Sequence, residues 1–254
     1  MSHAPFAIGL DLGGTDLKAA RIAPDGGAGP MLRRPSRAGE SAAAPLEALA
    51  QAIAELSGPG LAAVGLGCPG VIDPATGTLV GRTAHLPHWR DVALRAWLAE
   101  RTPVPAIVDN DANFAALAEA TVGAAHGSRV SLTLTLGTGV GCGIVADGRI
   151  VHGAFGGAGE IGHWPIGSGE VPCPCGVPHC VEPEISAAGL LQAARRAGLA
   201  VERATDVFAR AAHGEPAALA LVRRMTDGLG RTIAIAADLL APDRVVLAGG
   251  GAEA

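Results

Sequence analysis

Three thiols and an imidazole lie close together in this sequence: Cys173, Cys175 and Cys180 fall within eight residues, and His163 stands ten residues before the first. Free buried cysteines rarely cluster so tightly. Three thiolates and an imidazole make a tetrahedral zinc set that fills the metal's coordination shell. The expected ion is therefore a structural Zn²⁺ with no hydrolytic role. His179, inside the same loop, is a competing ligand by sequence alone. The closed loop would deliver Glu182, and His163 would keep its second ring nitrogen for another partner.

A second constellation is Asp109-Asn110-Asp111-Ala112-Asn113. Asp109 or Asn110 could cap the helix that follows. Two acids and two amides in five residues nevertheless exceed what a cap requires. A carboxylate here could take a proton from an attacking hydroxyl, and an amide could fix a neighbouring hydroxyl. Asp111 is the candidate general base and Asn110 the candidate sugar ligand.

Two glycine turns could hold phosphate. In Asp11-Leu12-Gly13-Gly14-Thr15 the glycines let backbone approach a ligand, and successive N–H groups can form an anion nest. Asp11 could orient a hydrated Mg²⁺, Thr15 could bond a phosphate oxygen, and Lys18 adds positive charge nearby. Gly137-Thr138-Gly139-Val140-Gly141 repeats the pattern. One such turn says little, but two suit a nucleotide, because phosphoryl transfer is mostly positioning and charge stabilisation.

These turns need strands to aim them. Phe6 to Leu12 and Leu17 to Ile22 flank the first, and Ser131 to Leu136 and Val140 to Ala146 flank the second. The same strand–turn–strand grammar, roughly 120 residues apart, predicts two lobes on a repeated plan. Leu46, Leu49, Ile53 and Leu56 mark one face of a helix over 45–57. Ala62 to Leu66 and Pro105 to Val108 read as buried strands, with a helix over about 112–122 after the second. Asp91 is placed as the N-cap of a helix carrying Val92, Leu94, Trp97 and Leu98, and Ser186 as the N-cap of a helix reaching Arg196. A long apolar helix runs from Pro216 to near Leu240, and a last strand, Arg244 to Ala248, ends in Gly249-Gly250-Gly251.

Composition narrows the class. With 49% hydrophobic residues in 254, a sizeable core is available. No apolar run approaches the roughly 18 residues of a membrane span, and no signal peptide is evident. The net charge of −5 and the lack of a basic stripe argue against nucleic acid as a partner. Five cysteines, three of them clustered, suit a reducing compartment; a cytoplasmic location is expected.

Taken in order across residues 6–251, the motifs resemble the ROK sugar kinases of the actin-like ATPase superfamily. The resemblance rests on Asp11 to Thr15, Gly67-Cys-Pro-Gly70, Asp109 to Asn113, Leu136 to Gly141, Gly157-Ala-Gly-Glu160-Ile-Gly-His163, the cysteine loop with Glu182, and the terminal glycines. It implies an α/β, two-lobed, ribonuclease H-like fold with sugar and ATP in the cleft between lobes. Residues 1–111 would form the N-terminal lobe and 112–254 the C-terminal one. It also implies ATP-dependent transfer to a hexose hydroxyl, usually the 6-hydroxyl, with Asp111 as base. Asn110, Glu160, His163 and Glu182 would contact sugar hydroxyls. Gly13, Gly14, Thr15, Gly137, Thr138 and Gly139 would hold phosphates, with Gly249 and Gly250 near the adenosine. His163, Cys173, Cys175 and Cys180 would bind zinc, and a homodimer is expected.

Three departures stand out. His85 occupies the position where the family usually has a sugar-binding Asn before Leu-x-x-Trp. His179 replaces the last glycine of the cysteine motif. Members typically continue for several tens of residues past the terminal glycines, so the sequence reads as shortened at its C-terminus. Glucose is the expected substrate, with N-acetylglucosamine, N-acetylmannosamine or fructose as alternatives that the motifs do not separate. A non-catalytic sugar-binding protein is the alternative of another class. A sugar-sensing repressor would need a helix-turn-helix ahead of the first strand, for which residue 6 leaves no room.

Overall fold

The computed structural model describes residues 4–251. The chain divides into two compact units, one of residues 1–114 with 152–157, the other of 115–151 with 158–254.

The first unit opens with β1 (Phe6–Leu12) and β2 (Asp16–Ile22), antiparallel, with Leu12 opposite Leu17 across the glycine turn. Then come β3 (Leu32–Pro35), helix α1 (Ala44–Leu56) and β4 (Leu61–Cys68). Three two-residue strands, β5 (Ile72–Asp73), β6 (Thr78–Leu79) and β7 (Val92–Ala93), make a small separate sheet. Helix α2 (Leu94–Ala99) and strand β8 (Ala106–Asn110) follow, and helix α3 (Asp111–Thr121) begins in this unit and ends in the second. The main sheet has the order β3-β2-β1-β4-β8, with β4 parallel to both β1 and β8.

Ile8, Leu10 and Leu12 of β1 alternate inward and meet Leu49 and Ile53 of α1, Leu66 of β4 and Leu98 of α2 in one core. Leu66 is fully buried. Leu66→Ala should cost about 2–5 kcal/mol by leaving a cavity, measured as a lowered urea midpoint with unchanged m-value. Asp91 does not cap α2. It sits at φ 51 and its Oδ1 accepts the Gly81 N–H at 2.7 Å. Ala93 precedes α2 without a side-chain cap, and Val92 belongs to β7 instead. A tertiary partner thus displaced the local preference.

The second unit repeats the plan. Strands β9 (Val130–Leu136) and β10 (Val140–Ala146) form the second hairpin, and β11 (Arg149–Ile150) pairs with β10. A 3-10 turn at Ile161–His163 leads to the cysteine loop. Helices α4 (Glu182–Ile185), α5 (Ala187–Arg196), α6 (Ala204–Ala212) and α7 (Pro216–Leu240) precede β12 (Arg244–Ala248). The sheet order is β11-β10-β9-β12, with β12 parallel to β9.

Ser186 caps α5, its side chain accepting the Gly189 N–H. Proline at the start of α7 costs no hydrogen bond, and Ala241 ends that helix in the left-handed conformation at φ 43. Leu190, Ala194, Val207, Ala218 and Met225 pack these helices together, while Leu132, Leu134, Ile144, Ile161 and Ala236 join α7 to the sheet. Among the described residues no helix is long and apolar enough to cross a membrane.

Candidate active site

In the first unit the registers of three strands assemble a row. Gly67 of β4 lies opposite Asp11 of β1 on one side and Asp109 of β8 on the other. Gly67 packs against the start of α3: a Cβ there would touch the Asp111 Cα at 3.4 Å and the Phe114 ring at 3.5 Å, ordinary van der Waals distances. The strand ends therefore bring the first glycine turn and the Asp109–Asn113 segment to one end of one sheet.

The turn itself is tight. The Gly13 N–H reaches the Asp16 carbonyl at 2.8 Å, and a Cβ on Gly14 would lie 3.1 Å from the His85 carbonyl oxygen. His85 is thus packed against the turn. Lys18 points to Asp11, Nζ to Oδ2 at 3.2 Å, with both side chains about half exposed. Such an open pair adds little stability and leaves Asp11 available to a ligand. Thr15 is exposed, its carbonyl accepting the Ser36 N–H at 2.8 Å.

Asp111 opens α3 and its side chain is exposed to solvent, although protein crowds around it. Partial desolvation raises its pKa above the ordinary 3.8, and the Asp11 charge pushes the same way; the Ala112 N–H and His85 oppose them. Asp11, His85 and Asp111 are therefore electrostatic neighbours. Asn110 is the helix cap: its Oδ1 accepts the N–H groups of Ala112 at 2.8 Å and Asn113 at 3.3 Å, while Nδ2 donates to the Gly70 carbonyl at 3.0 Å. That leaves one amide N–H for any further partner.

In the second unit the Gly137 N–H reaches the Gly139 carbonyl at 3.0 Å, and its own carbonyl accepts the Ala187 N–H at 2.9 Å. The hairpin is thereby tied to the start of α5. Gly137 and Gly250 have open space where a Cβ would be. Gly249 sits at φ 85, where a Cβ would come within 2.6 Å of the Leu136 carbonyl oxygen, and the Gly251 N–H bonds that oxygen at 2.9 Å. The terminal glycines thus fold onto Leu136 at the base of the second hairpin.

Glu160 precedes the 3-10 turn and His163 is its last residue. Glycine at 159 (φ 93) is obligatory, since a Cβ there would overlap the Cys142 carbonyl oxygen. The His163 Nε2 stands 3.8 Å from a Glu160 carboxylate oxygen, and its Nδ1 stands 3.7 Å from the Cys173 Sγ. The ligand atoms of His163, Cys173, Cys175 and Cys180 all lie within 4.8 Å of one another. Tetrahedral Zn–S bonds of 2.3 Å imply sulfur–sulfur separations of about 3.8 Å; Cys175 and Cys180 are 3.5 Å apart. The donor set and spacing fit zinc. The Val177 N–H already points at the Cys175 Sγ at 3.4 Å, as it would at a thiolate.

His179 does not belong to this group. Its ring covers Gly169, and its backbone lies at φ 61, the left-handed region where glycine is at ease. Glu182 accepts the Val140 N–H at 3.1 Å on one oxygen, and its other oxygen is 3.8 Å from the Cys173 Sγ. It therefore joins the second hairpin to the cysteine loop.

Two features escaped the sequence. Buried Glu184 accepts the Ser168 N–H at 2.8 Å and pairs with Arg231 at 2.6 Å, pinning the cysteine loop to α7. Asp109 accepts a hydrogen bond from His152 at 2.7 Å. Only the acidic and basic residue types hinted at either pair. The remaining cysteines are inert: burial raises the Cys68 thiol well above its ordinary range, and burial with the Glu160 charge pushes Cys142 up to about 12.

Each unit is thus a sheet whose first two strands form a glycine hairpin and whose fourth strand runs parallel to the first. That duplicated pattern is the two-lobed actin-like ATPase fold. The ROK family model matches residues 7–254, and the chain belongs to the ROK family. It is 38% identical over 268 residues to the glucokinase of Halalkalibacterium halodurans, covering 97% of this chain and 81% of that protein. The ROK hexokinase of Thermus thermophilus is similar in structure, with a TM-score of 0.83 at 34% identity, over 98% of this chain and 83% of that one. A ROK family glucokinase from Streptomyces griseus, solved in complex with glucose and AMPPNP, gives a TM-score of 0.84 at 28% identity, over 98% and 84% of the two chains.

Proposed function

We propose that this protein is a hexokinase-type ATP:hexose phosphotransferase that phosphorylates glucose at the 6-hydroxyl, with Asp111 as general base. The observation that carries the proposal is the placement of Asp111. Its carboxyl is solvent-reachable, sits beside Asp11 and His85, and has a raised pKa. A base that is ionised yet not too weak for the task is what a hydroxyl nucleophile requires.

In the reaction the sugar oxygen attacks the γ-phosphorus of ATP, Asp111 takes the hydroxyl proton, and ADP leaves. Gly14 and Thr15, and separately Thr138 and Gly139, would offer N–H and hydroxyl donors to phosphates, while Gly13 and Gly137, whose N–H groups close the two turns, would let the backbone come close to them. Lys18 adds positive charge. Asp11 would orient the hydration of Mg²⁺, whose charge offsets that developing on the phosphates. Gly249 and Gly250 would lie near the adenosine.

Asn110 has one N–H to give a sugar hydroxyl, and Glu160, Glu182 and His85 are the other proposed sugar contacts. His163 would serve twice, Nδ1 on zinc and Nε2 on the sugar, a division that fixes the ring's tautomer. His163, Cys173, Cys175 and Cys180 would hold a structural Zn²⁺ that keeps Glu182 in place. A cytoplasmic homodimer is the proposed setting.

ADP release from Mg-ATP with glucose, N-acetylglucosamine, N-acetylmannosamine and fructose tests the activity. Glucose should give the highest kcat/KM; no turnover with any of the four defeats the proposal. His85 offers a sharper probe of the sugar site. His85→Asn should lower KM for glucose several-fold while kcat changes little, because a short amide can both donate and accept. An unchanged KM would remove His85 from the sugar site.

A further inference from the structure

His152 follows β11, and the residue before it belongs to the second unit. The segment 152–157 nevertheless belongs to the first unit, and the chain returns to the second at Ala158. Two anchors hold this excursion. At one end, Gly156 (φ 86) lies so close to the Ile72 carbonyl that a Cβ would overlap the oxygen. At the other, the His152 Nε2 stands 2.7 Å from the Asp109 Oδ2. Asp109 can only accept when ionised, so Nε2 carries the proton and donates it.

Asp109 is buried at the end of β8. Its Oδ1 accepts the Asn110 N–H at 2.7 Å and the Asn113 Nδ2 at 2.8 Å. Among the described residues, His152 is the hydrogen-bond partner of its Oδ2. Among the described residues, strand β8 is an edge strand, paired with β4, and no other strand holds its outer side. The loop leaving it therefore depends on side chains for its shape. The chain of contacts runs from His152 to Asp109, then to Asn110 and Asn113, then to the start of α3, where Asp111 stands.

We propose that His152 is a positioning residue for the phosphotransfer base: its hydrogen bond to Asp109 fixes the Asp109–Asn113 loop and so aims Asp111. This rests on the reading of Asp111 as the base. Without the imidazole, a buried carboxylate oxygen loses its donor and the loop must shift to find another. A displacement of about 1 Å at a reacting group can cost on the order of 10²-fold in rate.

The test compares His152→Ala and His152→Gln in the wild-type and Asp109→Asn backgrounds, using the full chain. Glutamine keeps an N–H donor near the imidazole position. His152→Ala should lower kcat roughly 10²-fold with KM for ATP unchanged. His152→Gln should recover most of that loss. In the Asp109→Asn background the alanine change should cost little more, because the charged acceptor is already gone. If His152→Ala keeps kcat within twofold, or glutamine fails to rescue a folded variant, or the two effects multiply, the proposal is overturned. Should the alanine variant not fold, the glutamine variant and the Asp109→Asn pair still decide. Full turnover by Asp111→Asn would instead defeat the base reading, whatever His152 does.

Discussion

Asp111→Asn should lower kcat by about 10²–10⁴-fold, the usual contribution of a general base, while the Kd for glucose changes less than threefold. The amide keeps the shape of the carboxyl and can still accept the Ala112 N–H through its oxygen, now made at 2.9 Å. It cannot take a proton from the sugar hydroxyl. Isothermal titration with glucose and a coupled ADP assay separate the two quantities. Loss of glucose binding in a folded variant would count against the assignment.

The raised pKa of Asp111 adds two further consequences. The wild-type rate needs the ionised carboxyl, so the acid limb of kcat/KM should begin above the pH set by an ordinary aspartate with pKa 3.8. For stability the sign runs the other way from a salt-bridged acid. The folded protein holds the Asp111 proton more tightly than the unfolded chain does. Folding is therefore penalised as pH rises from about 3.8 through the folded value, and the penalty is complete above it. Asparagine carries no such penalty. Asp111→Asn should be at least as thermostable as wild type at pH 7, a combination of lost activity and kept stability typical of a functional residue.

Removing the metal should have the second largest effect. The purified protein is expected to hold one zinc per chain, measured by atomic absorption. Chelation, or Cys180→Ser, should abolish it, because Cys180 is a buried member of the four-ligand group. The cysteine loop would then lose the bonds that shape it, and Glu182 and His163 would lose their support. If the loop contributes about 3 kcal/mol through the metal, Tm falls by about 6–12 °C for a chain of this size. KM for glucose should rise with little change in KM for ATP. Cys68→Ala should keep its full zinc content, since Cys68 lies in the core of the first unit. Metal-free protein with an unchanged Tm would exclude the structural role.

Much of the fold was legible where the signal is local. The two glycine hairpins showed as strand–turn–strand alternation, and the structure aligns Leu12 with Leu17 and Leu136 with Val140 as that pattern requires. The α5 helix began at Ser186 as expected, because an N-cap acts on the three residues after it. Strands β5, β6 and β7 passed unseen, since two residues carry no period. Helix α6 was also missed. Its start is held by Asp206 reaching back to the Glu202 and Arg203 N–H groups rather than by a capping side chain ahead of it.

The site divides in the same way. The cysteine cluster could be read from spacing because a zinc loop closes over a few residues; spacing left His179 open beside His163, the family resemblance pointed to His163, and the three-dimensional positions group His163 with the three thiols. The left-handed backbone at His179 explains why glycine would be the easier residue there. The Asp109–His152 bond spans 43 positions, and nothing near either residue announces the other. Asn110 was expected to cap or to bind sugar; it caps, and its remaining N–H leaves room for the second task.

The most direct test of the account is the product itself. Glucose and Mg-ATP incubated with the purified chain should yield glucose 6-phosphate and ADP in equal amounts, identified by ³¹P NMR, and Asp111→Asn should yield almost none. ADP without sugar phosphate, phosphate on another hydroxyl, or equal product from the variant would contradict it.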